Sequence, residues 1–85
     1  MGRSYEENST LTKEFIFSSQ TELAAFFQRI AILADALNHH PDILVSKAFE
    51  LKISLTTHDK NALTEKDFEL AKQIDSAYTA FKEGN

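Results

Sequence analysis

The chain reads as an α+β domain of two layers, an antiparallel β-sheet with two long helices packed on one face. Three observations carry this. Residues 11–17 and 49–55 alternate apolar with polar, the period of a strand covered on one side. Residues 20–38 and 65–82 place apolar residues at helical spacing on a single stripe. An element with one apolar side must be covered by another layer, and helices on a sheet is the economical solution.

The elements follow in order. Residues 3–7 are a short first strand, with a turn at Glu7-Asn8-Ser9-Thr10. Leu11, Phe15 and Phe17 then share one face of a second strand, with Thr12, Glu14 and Ile16 on the other. Ser19-Gln20-Thr21-Glu22 is a capping box, and Leu23, Phe26, Phe27, Ile30, Ala34 and Leu37 form the stripe of the first helix. Ala25 and Ile32 lie off that stripe. Asn38 and Pro41 end the helix. Ile43 to Leu55 is extended, bent or split into two pairing pieces, with Phe49, Leu51, Ile53 and Leu55 facing the core. Thr64-Glu65-Lys66-Asp67 opens the last helix, whose stripe is Phe68, Ala71, Ile74, Tyr78 and Phe81.

At 85 residues, one domain spanning 1–85 is expected. A chain of this size buries roughly 60–65% of its unfolded surface, which favours self-association. Cysteine is absent, so neither a disulfide framework nor a thiol nucleophile is available. The only glycines, Gly2 and Gly84, exclude a glycine-rich phosphate loop. No apolar run approaches the roughly 20 residues of a membrane span, and the first residues lack the apolar stretch of a signal peptide. A cytoplasmic location is expected. With a net charge of −4 and no Lys/Arg cluster, direct nucleic-acid binding is not expected.

The three histidines, His39, His40 and His58, all fall at the ends of regular elements. Imidazole titrates near neutral pH, so this placement suits a proton-transfer site. The alternative is a polar helix-to-strand connection at His39-His40-Pro41 and a strand-end residue at His58. Asp35 sits four residues before His39 and would share a face with it if the helix persisted. Pro41 stiffens the turn. Asp67 suits a helix N-terminus and could also reach the cleft. A metal site is not expected, because no HxH or HxxxH ligand spacing is present.

The arrangement Asp35-x3-His39-His40-Pro41, an extended strand, then His58-x8-Asp67 resembles the pterin-4a-carbinolamine dehydratases. Lys13-Glu14-Phe15-Ile16-Phe17, Leu55-Thr56-Thr57-His58-Asp59 and Leu63-Thr64-Glu65-Lys66-Asp67 extend the likeness over roughly residues 5–78. The chain looks like a short form without the family's N-terminal helix. The Trp that often follows the motif is Ile43 here, a later aromatic falls on Lys47 or Ala48, and a common glycine is Ala62.

The resemblance implies dehydration of 4a-hydroxytetrahydropterin to quinonoid dihydropterin, recycling a pterin without metal or organic cofactor. It implies an acid/base pair in His39 and His58, with His40, Pro41, Asp35 and Asp67 binding or supporting the pterin. It also implies a homodimer or homotetramer, for which Ala25 and Ile32 are suited. A non-catalytic assembly or dimerisation module on the same fold is the alternative.

Overall fold

The computed structural model describes residues 2–7, 9–57 and 60–84. Its elements run β1 (Gly2–Glu7), β2 (Thr10–Ile16), α1 (Gln20–Leu37), β3 (Asp42–Ser46), β4 (Glu50–Leu55) and α2 (Glu65–Glu83). The four strands form one antiparallel sheet in the order β1-β2-β4-β3. The extended stretch after His-His-Pro is thus split in two. Lys47 and Ala48 turn the chain with φ of 53° and 69°, and the Phe49 N–H donates to the Lys47 carbonyl at 2.7 Å.

Register fixes which residues meet the helices. Leu11 opposes Leu55, Lys13 opposes Ile53, and Phe15 opposes Leu51 across β2 and β4. Directly opposed residues share a face, so Phe15, Leu51, Ile53 and Leu55 line the covered side together. Against them α1 lays Leu23, Phe26, Ile30 and Ala34, and α2 lays Leu70, Ala71, Ile74 and Phe81. Ala25 and Ile32 face outward, as their position off the stripe implies.

Three phenylalanines depart from expectation. Phe27 is on the rim of the stripe rather than within it, because Phe26 takes the central position and the next residue is rotated by about 100°. Phe49 is 43% exposed, because it belongs to the turn before β4 and the strand's alternation starts only at Glu50. Phe68 is 53% exposed, because Asp67 occupies the inward phase. The buried side of α2 comprises Asp67, Leu70, Ala71, Ile74 and Phe81, with Tyr78 partly buried and an acid at its head.

The helices run antiparallel, and their two ends differ. At one end Phe15, Phe17, Phe26, Tyr78 and Phe81 form an aromatic cluster, with Phe15–Tyr78 centroids 4.6 Å apart and Phe26 edge-on to Phe15 at 5.2 Å. Offset and edge-on pairs of this kind add about 0.5–1.5 kcal/mol each beyond their burial. Ser19 caps α1 by accepting the Glu22 N–H at 3.0 Å. The Glu22 carboxylate accepts from the Ser18 N–H and from Lys82 near the end of α2. The other end holds the histidines.

Lys13 was not legible as a core residue, yet only 4% of it is exposed. Its stem lies on the covered face, and its ammonium meets both oxygens of the exposed Asp75 at 2.9 and 3.0 Å. The two partners are therefore unequal. Asp75→Ala would strand a cation in the interior, whereas Lys13→Met leaves only a solvated carboxylate. Asp75→Ala is expected to lower the urea midpoint more than Lys13→Met does, by about 1–3 kcal/mol in stability. Equal losses would show that the pair acts as a surface ion pair.

Candidate active site

The site is built where α1 ends and α2 begins. Asn38 takes the left-handed conformation, φ 51° and ψ 42°. Its N–H donates to the Asp35 carbonyl, and the His39 N–H donates to the Ala34 carbonyl at 3.1 Å. These two bonds form a Schellman motif, which satisfies the last carbonyls of α1 and reverses the chain. The reversal sets the direction in which His39 leaves the helix. Pro41 then leads directly into β3.

His39 and His40 diverge, each to its own carboxylate. His39 Nε2 lies 2.6 Å from Asp67 Oδ1, across the gap between the helices. His40 Nε2 lies 2.8 Å from Asp35 Oδ1, back on the last turn of α1, and both of those side chains are mostly solvent-exposed. Asp35 would share a face with His39 only if the helix persisted; instead it holds His40. The helix does not continue to residue 39, so the four-residue spacing puts nothing on a common face.

Asp67 is completely buried and fully satisfied. Oδ1 receives His39, while Oδ2 receives the Thr57 hydroxyl at 2.8 Å and the Thr64 N–H at 2.9 Å. The helix-capping role expected of Asp67 is filled, and the same carboxylate also receives His39. Burial pushes its pKa up, but the hydrogen bonds from His39, Thr64 and Thr57 and the charge of His39 outweigh burial and hold it below the ordinary carboxylate range. It is therefore an anion at neutral pH. An anion can only accept, so His39 Nε2 carries a proton toward it. In the neutral ring Nδ1 is then the basic nitrogen.

Thr57 and Thr64 had drawn attention only as a strand-end segment and a cap. The Thr57–Ala62 bridge closes the connection after β4. The Thr57 carbonyl accepts from the N–H groups of Lys60 and Asn61, and its hydroxyl lies 2.7 Å from that of Thr64. A concavity of about 360 Å³ opens beside the two threonines, rimmed by Lys60, Glu65 and Lys66. His58 lies outside the described residues. Among the described residues, no group of three His, Asp, Glu or Cys side chains is placed to hold a metal ion, and no helix is long and apolar enough to cross a membrane.

Because the pKa of Asp67 is lower in the folded state than in the unfolded chain, its contribution to stability is complete above the unfolded value of about 3.9 and is lost as pH falls toward the folded value. Asp67→Asn is expected to cost about 1.5–3 kcal/mol near neutral pH. The gap between the two proteins should narrow as urea melts are taken from about pH 5 to below about pH 3. A gap that does not change with pH would contradict the ionised, donor-saturated carboxylate.

Comparison with known proteins identifies the family and the fold. The family model for pterin 4 alpha carbinolamine dehydratase matches residues 3–77. A relative from Chloroflexus aggregans described under that family name is 43% identical over 85% of this chain and 76% of its own. One from Sulfolobus acidocaldarius is 44% identical over 86% and 78%. Among solved structures, a transcriptional coactivator/pterin dehydratase from Brucella melitensis shares the fold at a TM-score of 0.77 and 24% identity, over 89% of this chain and 80% of that one. A pterin dehydratase-like protein identified as a RuBisCO assembly factor in the alpha-carboxysome superposes at 0.70 with 25% identity, over 88% and 86%. With the family model matching nearly its whole length and relatives more than 40% identical over most of it, the chain belongs to the pterin 4 alpha carbinolamine dehydratase family.

Proposed function

We propose that this protein dehydrates a 4a-hydroxytetrahydropterin to the quinonoid dihydropterin, with His39 and His58 as its acid/base pair. The observation that carries the reading is the short bond from His39 to a buried, ionised Asp67. A carboxylate in that position fixes the imidazole tautomer and stabilises the imidazolium formed when the ring takes a proton. This suits His39 to the role of base.

The reaction balances simply. His39 Nδ1 removes the proton from N5 while His58 protonates the departing C4a hydroxyl, which leaves as water. The C4a–O bond breaks, and a C4a=N5 double bond forms. Transfer of the N5 proton to His58 through solvent resets the pair. His40 sits with Asp35 on the exposed side of the turn, where it would bind the pterin rather than move its protons. Groups positioned for acid/base work typically contribute about 10²–10⁴-fold.

The likeness to the carboxysomal assembly factor supports a second reading, a binding module that keeps the fold without the reaction. One assay separates the two. The protein should accelerate dehydration of freshly generated 4a-hydroxytetrahydrobiopterin, and the His39→Ala, His58→Ala double variant should lose at least about a hundredfold. His40→Ala should mainly raise KM. A well-folded parent with no acceleration would favour the binding module.

A further inference from the structure

The directions of the hydrogen bonds around Asp67 can be worked out from the donors available. Thr57 has one hydroxyl proton, and it goes to Asp67 Oδ2. In the 2.7 Å contact between the two threonines, Thr57 therefore accepts and Thr64 donates. The chain reads Thr64 O–H to Thr57 O–H to the Asp67 carboxylate, which in turn accepts from His39 Nε2–H. Donation from Thr64 polarises the Thr57 hydroxyl and strengthens its bond to Asp67, whereas Thr57 and His39 converge on one carboxylate and share its charge.

Thr57 is also rigidly held. Its N–H donates to the Ala62 carbonyl at 3.1 Å, and its own carbonyl accepts from Lys60 and Asn61 at 3.1 and 2.8 Å. A hydroxyl on such a fixed backbone is a fixed donor. Asp67 sits on α2 and His39 follows α1, so Thr57 ties the loop after β4 to the carboxylate that sets the imidazole.

We propose that Thr57 is a positioning residue of the dehydratase, one that aims His39 by holding Asp67 and takes no contact with the pterin itself. The inference rests on the dehydratase reading for its catalytic consequence and on the geometry alone for its hydrogen-bond part. Thr57→Val keeps the shape of the side chain and removes the donor. Asp67 then keeps only Thr64 N–H and His39. A carboxylate with fewer donors accepts more strongly from the one at its other oxygen.

Two readouts test this. In ¹H–¹⁵N spectra of the whole protein, the His39 Nε2–H resonance should move downfield in Thr57→Val and return in Thr57→Ser. Simple loosening of the site would move it upfield or broaden it. In the dehydration assay, kcat should fall about tenfold in Thr57→Val with KM changed less than about twofold, and Thr57→Ser should restore it. If Thr57→Val does not fold, Thr64→Val, which removes the donor to Thr57, should shift the resonance in the same direction by less. A resonance that stays in place or moves upfield, or a kcat that is unchanged, overturns the inference. If the parent protein shows no dehydration, the dehydratase reading and the catalytic role of Thr57 fail together, while the resonance still decides the hydrogen-bond part.

Discussion

The rest of the site depends on one buried anion. Asp67 has no exposed surface, so its charge is tolerable only because its oxygens are occupied by donors from three segments: the turn after α1, the loop after β4, and the N-cap of α2. Leaving such a group unsatisfied costs several times what one more apolar contact adds. The carboxylate therefore works as a constraint on three segments at once. The imidazole receives its tautomer from the same interaction that closes the fold at this end. Structure and proposed chemistry share a single residue, and that residue need not touch the substrate.

The antiparallel helices separate two demands. The aromatic cluster at one end, with Glu22 and Lys82 tying the start of α1 to the end of α2, supplies burial that does not involve the histidines. The polar network at the other end supplies direction. Such a division lets the site carry a buried charge without asking the same residues to provide the bulk of the core. Lys13 follows a similar logic on the sheet. Its stem serves as covered apolar surface, and its charge is carried out to Asp75 at the edge of α2.

The fold was legible because side-chain periodicity reports burial directly. Alternation at Glu50–Leu55 and the stripe at Leu23–Leu37 are consequences of covering one side of each element. The site was legible in its residue types and family pattern, less so in its pairings. Asp35 and His40 lie five apart yet meet, because the Schellman motif at Asn38 ends the helix and folds the chain back. Backbone reversal is a property of one left-handed residue, and a spacing rule that assumes a continuing helix misses it. Phe68 was placed inward because it is apolar, but Asp67 shares the phase of Ala71, Ile74, Tyr78 and Phe81. An acid in phase with a buried stripe was the available signal for a buried functional carboxylate. Thr57 carried no such signal, since its role follows from a loop closure that only three dimensions reveal.

Ile43 packs against the core, while Lys47 and Ala48 form the turn between β3 and β4. The most direct test of the account is a crystal structure of the protein soaked with 7,8-dihydrobiopterin, a stable pterin close in shape to the product. The account predicts the pterin N5 and C4a edge within hydrogen-bond reach of His39 Nδ1, with Nε2 still on Asp67. A pterin bound elsewhere, or a His39 ring released from Asp67 when the pterin binds, would contradict it.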